Sequence, residues 1–158
     1  MNIYHNEIIV QKILIPYIHV GKNMTNYFLE YATKHIEGKC RSEGYIKPHS
    51  TEVVSFSSGQ LLGDSIEYSV EYSMMVYFPT EDSELDCIIE SVSTKIGLRA
   101  YVSETNNPVM VFISKAYNED LVIEDYKEKQ KVRVIVKGHR FEKNDEHIII
   151  IGVINLNK

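Results

Sequence analysis

The sequence predicts an α+β unit followed by an all-β unit, with the change at Pro79. Three observations carry this. Ser65–Phe78 alternates strictly: Ile66, Tyr68, Val70, Tyr72, Met74, Val76 and Phe78 are apolar, and only Met75 and Tyr77 interrupt the polar face between them. Residues 23–36 instead place their apolar side chains three and four apart, the period of a helix. After Pro79 come five strand-like runs separated by turn signals, with little helical pattern. Composition agrees, since 20 isoleucines against 3 alanines favour strands over helices.

The elements follow in order. Glu7–Ile15 reads as a buried or half-buried strand that Pro16 interrupts. Asn23 is the expected N-cap of a helix whose stripe is Met24, Tyr27, Phe28, Tyr31, Ala32 and Ile36, and that stripe is expected to pack on the sheet. Gly38 suits the cap at its end. Gly44 predicts a turn into Tyr45-Ile46, which Pro48 stops; Thr51–Ser57 is a further strand. Leu61 and Leu62, between two glycines, either form an exposed docking tip or fold back on the sheet. The long strand then runs to Pro79, which has no N–H for a ladder. At about 3.3 Å per residue it reaches on the order of 45 Å. It therefore reads as a connector, with Met75 and Tyr77 the places where the two units are expected to meet.

Beyond Pro79 the strands are Leu85–Thr94, Gly97–Ser103, Val109–Ile113, Lys131–Arg140 and His147–Ile154. Lys95-Ile96, Asn106-Asn107-Pro108 and Lys143–Glu146 are turns, Ser114–Tyr117 is a short helical turn, and Asn118–Gln130 is an acidic, loop-like stretch. Gly138 is placed to allow a bend or a bulge. Five strands with a small helical element between the third and fourth describe an OB-type Greek-key barrel. The domains expected are residues 1–79 and 80–158.

Bulk properties narrow the function. The net charge is −5, shared as −2 before residue 80 and −3 after it, so a global basic footprint is absent. Cys40 and Cys87 form no C-x-x-C pair, which argues against a zinc site or a disulfide framework. The N-terminus lacks the basic start and apolar core of a signal peptide, and no apolar run approaches ~20 residues. Histidines 5, 19, 35, 49, 139 and 147 have no metal-ligand spacing. Glu81, Asp82, Glu84 and Asp86 read as a solvated linker and strand start. Phosphate-cradling and nucleophile-elbow motifs are absent, so neither a catalytic residue nor a cofactor or metal is expected.

The candidate nucleic-acid surface lies on the barrel. If Leu98, Ala100, Val102, Val109, Val111 and Ile113 fill it, then Arg99, Tyr101, Met110 and Phe112 share its outer face, where aromatics can stack on bases. Lys95 sits at one loop. Arg133 and Lys137 alternate with valines and also point outward. The RNA-contacting candidates are therefore Lys95, Arg99, Tyr101, Phe112, Arg133 and Lys137; packing of this face against protein is the competing reading.

The order of motifs resembles the seventh subunit of eukaryotic RNA polymerase II and its archaeal counterpart. The carriers are Ile13–Tyr17 (I-L-I-P-Y), Glu37-Gly38-Lys39-Cys40 with Gly44-Tyr45-Ile46, the long strand into Val76-Tyr77-Phe78-Pro79, and Gly97 with Val111–Ser114. Each piece is weak alone; the match covers nearly the whole chain in order, and the Glu37–Ile46 piece is its most specific part. Gly138–Ile148 looks like the shortened versions encoded by nucleocytoplasmic large DNA viruses. The resemblance implies a ribonucleoprotein-like tip domain, sheet plus helix, and an OB barrel. It implies a non-catalytic stalk subunit in transcription that docks on polymerase core subunits beside a fourth-subunit-type partner and meets single-stranded nascent RNA or initiation factors. The docking residues expected are Gly44, Ile46, Leu61 and Leu62. The implied location is intracellular: host cytoplasm, and with it the virion, for a viral version, or the nucleus for a cellular one, with no membrane contact. The rival reading is a stand-alone OB-fold RNA-binding protein of translation or RNA turnover.

Overall fold

The computed structural model describes residues 3–102 and 107–155. Its strands are β1 (His5–Pro16), β2 (Cys40–Arg41), β3 (Gly44–Ile46), β4 (Glu52–Phe56), β5 (Gln60–Leu62), β6 (Ser65–Tyr77), β7 (Glu84–Ser93), β8 (Gly97–Val102), β9 (Val109–Ser114), β10 (Lys131–Arg140) and β11 (Ile148–Ile154), with one α-helix, α1 (Met24–His35), after β1. Ser103, expected at a strand end, and Asn106, expected in a turn, lie outside the described residues. The chain divides into two compact units. One comprises Ile3–Gly38 and Ile46–Tyr77; the other comprises Lys39–Tyr45 and the described residues from Phe78 onward.

The first unit is one helix on a sheet. β1 and β6 pair antiparallel over twelve positions without a register shift, from His5 opposite Val76 to Pro16 opposite Ser65. Alternation then does what the period of two requires: Ile9, Ile13 and Ile15 join Tyr68, Val70, Tyr72, Met74 and Val76 in one core. The other edge of β6 carries β5 and then β4, whose pairing slips between Val53 and Ser55. Lys47, just after β3, donates its N–H to the Met75 carbonyl oxygen at 2.9 Å. α1 covers the apolar face with Met24, Phe28 and Ala32, while Tyr27 and Tyr31 flank the contact. Asn23 caps the helix as expected: its side-chain oxygen accepts from the Asn26 N–H at 3.3 Å. The Tyr72 hydroxyl donates to the Phe28 carbonyl oxygen at 2.7 Å, so this buried phenol is satisfied. Its pKa is raised, first by burial and then by Tyr31.

The long strand is one residue shorter than its pattern. Phe78 leaves the ladder just before Pro79 and stays 40 % exposed, with its ring 5.1 Å from the His139 ring and 6.0 Å from the Phe141 ring. Met75 is half-buried and Tyr77 buried.

The second unit is a closed five-stranded barrel in the order β7-β8-β9-β11-β10 and back to β7. β9 and β11 are parallel and the other pairs antiparallel. This mixed closure is compatible with an OB-type barrel. Leu85, Cys87, Ile89, Leu98, Ala100, Val102, Val109, Val111, Ile113, Val134, Val136, Ile148 and Ile150 are buried on alternate strand positions. The β10–β11 register shifts between Val136 and Gly138, so the irregularity expected at Gly138 is a bulge. The stretch after β9 makes two short 3-10 turns, at Lys115–Tyr117 and Ile123–Asp125. Asn118 ties it down: its side-chain N–H donates to the Ser114 carbonyl oxygen at 2.7 Å, and its oxygen accepts from the Ile154 N–H at 3.1 Å.

Candidate nucleic-acid interface

Hairpin register places the site. Arg99 lies opposite Phe112, and Tyr101 opposite Met110. Their inward neighbours Leu98, Ala100, Val111 and Ile113 are buried, so these four share the outer face as the alternation predicts. The Arg99 guanidinium carbon is 5.8 Å from the centre of the Phe112 ring, a cation–π distance. Its Nε lies 3.5 Å from the Glu90 carboxylate, and an N–H of the same group points at the Met110 sulfur, 3.7 Å away. With both partners of the Arg99–Glu90 pair half-exposed, that bridge is a weak tether that an incoming anion can replace.

Two further strand positions extend the face. Parallel pairing sets Ile149 beside Met110 and Ile151 beside Phe112, and both isoleucines are exposed. The face is therefore two rows across three strands: Tyr101, Met110, Ile149, and Arg99, Phe112, Ile151. Sequence reasoning missed both isoleucines because the run Ile148–Ile151 has no polar residue to mark its outer side. The alternation set by buried Ile148 and Ile150 was the available signal.

At one end of these rows Gly97 pairs with Ser114, and the Lys115 N–H donates to the Ile96 carbonyl oxygen at 3.3 Å. Lys95 and Lys115 are therefore neighbouring exposed cations at the end where β8 starts and β9 finishes. Lys115 was also missed; its place straight after the strand opposite Gly97 was its signal. Gly97 has φ +133°, and a Cβ there would strike the Ile113 carbonyl oxygen, so glycine is what lets the hairpin close.

Arg133 and Lys137 point outward as expected, but the structure does not bring them to this face. They lie on β10, which pairs with β7 and β11, and acidic neighbours occupy them. Arg133 reaches Glu84 at 3.4 Å and Asp86 at 3.3 Å, and Lys137 reaches Asp82 at 2.9 Å. The carboxylates read as a solvated linker are thus the counter-ions of this flank.

The docking candidates divide as well. Leu61 and Leu62 are exposed, beside a cleft of about 390 Å³ lined by Pro16, Tyr17, Ile18, Leu61, Gly63 and Asp64. Gly44 and Ile46 are corrected: both are buried, and Ile46 is 0 % exposed in the core cluster, so neither presents a surface. Their motif works internally. One Glu37 carboxylate oxygen accepts from the Thr51 N–H at 3.2 Å and hydroxyl at 2.6 Å. The Gly38 N–H donates to the Ile46 carbonyl oxygen at 2.9 Å. Cys40 exchanges backbone bonds with the turn before β11: its N–H donates to the Asp145 oxygen, and its oxygen accepts from the Asn144 N–H, each at 2.8 Å.

Burial, then Asp145, pushes the Cys40 thiol up to about 12; burial, then Asp86, does the same for Cys87. Both thiols are therefore protonated at neutral pH. Among the described residues no cluster of three or more His, Cys, Asp or Glu side chains is placed to hold a metal ion. Nor, among them, is any helix long and apolar enough to cross a membrane. No known protein family matches the chain, and no curated protein matches it.

Proposed function

We propose that the chain is a non-catalytic stalk-type subunit of a DNA-directed RNA polymerase. The helix-and-sheet unit serves as its tip domain and docks on core subunits; the OB barrel contacts single-stranded nascent RNA across β8 and β9. The observation that carries this reading is the outer barrel face, where Arg99, Tyr101 and Phe112 stand together with Lys95 and Lys115 at its rim. Aromatic side chains stack on bases of any sequence, and the cations meet phosphate, which suits RNA that varies from transcript to transcript. The motif order supports the polymerase assignment, and Leu61 and Leu62 supply the exposed apolar tip. The same reading takes the chain as a virus-encoded version acting in the host cytoplasm, with a fourth-subunit-type partner beside it.

Purification of the tagged chain from cells that express it naturally tests the assignment. Large polymerase subunits are expected to co-purify, and their absence from such preparations overturns the reading. Leu61→Glu with Leu62→Glu should reduce that recovery; unchanged recovery removes the two leucines from docking.

The rival reading, a stand-alone RNA-binding protein of translation or RNA turnover, draws on one observation: the stacking face is complete within the barrel itself. Tight, salt-sensitive RNA binding by the isolated chain, with no polymerase subunit recovered from cells, would favour it.

A further inference from the structure

The two rows of the barrel face do not stop at β11. Antiparallel pairing sets Arg140 of β10 opposite Ile149 and Gly138 opposite Ile151, and both isoleucines are exposed. Residues directly opposite each other share a face of the sheet. The first row is therefore Tyr101, Met110, Ile149, Arg140, and the second is Arg99, Phe112, Ile151, Gly138. The bulge puts Arg140 there. Before it, the even positions of β10 are interior: Val134 and Val136 are buried, while Arg133 and Lys137 are outside. The same alternation carried on would turn Arg140 inward. Instead β10 takes two steps, Val136 to Gly138, against one step of β11, Gly152 to Ile151. The phase reverses, so His139 falls opposite buried Ile150 and Arg140 stands exposed beside Ile149.

Arg140 also differs from the two cations before the bulge in what surrounds it. Arg133 and Lys137 are held by Glu84, Asp86 and Asp82. Among the described residues the Arg140 side chain has no ion pair, hydrogen bond or ring contact. In the turn that follows, the Asp145 carboxylate accepts from the Glu142 N–H at 2.8 Å, and neither acid pairs with Arg140. Cations therefore stand at opposite corners of the face: Lys95 and Lys115 where β8 starts and β9 finishes, and Arg140 where β10 finishes. Tyr101, Phe112, Met110 and Ile149 lie between them, and Gly138 leaves another corner without a side chain. The separation is about 14 Å across three strand spacings and about 13 Å along β8, or roughly 20 Å from corner to corner.

We infer that Arg140 is a phosphate contact, and that single-stranded RNA crosses the face on the diagonal from Lys95 and Lys115 to Arg140. This rests on the RNA reading of the face and gives the strand its path. A strand laid along either row alone would meet a cation at one end only, Arg140 in the first row and Arg99 in the second. The diagonal meets cations at both ends and rings in the middle, where bases stack. A guanidinium without a carboxylate partner keeps its fork of N–H donors for phosphate oxygens.

The test is fluorescence anisotropy of the full chain with a labelled oligouridylate of about 12 nucleotides, long enough to reach both corners, across a salt series. Arg140→Gln is expected to weaken binding by about threefold to tenfold at roughly 0.1 M salt. It should also lower the slope of log affinity against log salt by about 0.7, the share of one phosphate on a single strand. Arg140→Lys is expected to restore that slope, because it returns the charge. Lys143→Gln removes an exposed cation from the adjoining turn, on neither row, and should change affinity by less than about twofold. Arg140 is exposed and unpaired, so equal melting temperatures are expected for all variants and check that the fold is intact. An unchanged slope in Arg140→Gln overturns the inference; if Arg99→Ala with Phe112→Ala still weakens binding, the RNA reading stands without it. An equal loss in Lys143→Gln also overturns it, by making the effect one of overall charge. A wild-type chain with no affinity for the oligonucleotide overturns the RNA reading, and the path with it.

Discussion

On the β8–β9 flank of the barrel, Arg99 leans over the Phe112 ring and shares one half-exposed carboxylate, Glu90. On the β7–β10 flank, Arg133 stands between Glu84 and Asp86, and Lys137 is held by Asp82 at 2.9 Å. Both flanks present arginine and alternate with buried aliphatics, so their local sequences look alike. They differ in what lies across the strand. Opposite Arg99 is an aromatic ring that can share a base; opposite Arg133 is Asp86, which already supplies the negative charge. Whether a surface arginine can receive phosphate is thus decided by its cross-strand partner.

The strongest way to break the contrast is to open the β8–β9 hairpin. Gly97→Ala forces a left-handed residue to carry a Cβ against the Ile113 carbonyl oxygen, which should cost about 2–4 kcal/mol of stability. Chemical denaturation of the full chain measures it. A loss below about 0.5 kcal/mol would mean that this corner relaxes freely and that the face is not rigidly set.

Next in size is Arg99→Ala with Phe112→Ala. Stacking contributes about 1–3 kcal/mol per base, so single-stranded RNA affinity should fall by about tenfold to a hundredfold, read by fluorescence anisotropy with a labelled oligonucleotide. An unchanged affinity would make the face packing surface. Ile149 and Ile151 then become informative, because a protein partner would need them more than RNA does.

How these flanks relate to the sequence is instructive. The period-two pattern of β6, the Asn23 cap and the bulge at Gly138 are local, and each was legible. So was the outward direction of Arg99, Tyr101, Phe112, Arg133 and Lys137. The neutralisation of Arg133 was not, because Asp86 is its partner only through the β7–β10 register. Gly44 and Ile46 misled for the same kind of reason: a distinctive motif looks functional on the page, yet its Glu37–Thr51 and Gly38–Ile46 bonds show it bracing a loop. The Ile148–Ile151 run hid its exposed half because all four residues are identical.

A smaller effect separates the one shared element, the counter-ion. Glu90→Gln keeps the shape of β7 and removes the charge beside Arg99. Affinity for single-stranded RNA should rise by about threefold, with a steeper dependence on salt, because an exposed ion pair contributes about 0.2–1 kcal/mol. A fall in affinity would show that Glu90 positions Arg99 rather than competing for it.

The smallest effect is expected where the sequence alone made an equal claim. Arg133→Gln with Lys137→Gln deletes two cations of the barrel, so a simple count of positive charge predicts weaker RNA binding. The structure predicts less than about a twofold change, since Glu84, Asp86 and Asp82 already offset them. Deleting the cations also removes the positive charges beside Glu84, Asp86 and Asp82, so the net field of the barrel becomes more negative. Any residual loss should therefore be long-range and vanish in moderate salt, where the Debye length shrinks to about 8–10 Å. A loss of tenfold that persists in that salt would place phosphate directly on β10 and erase the distinction between the flanks. Loss on the β8–β9 side must instead survive salt in part, because ring stacking is not screened.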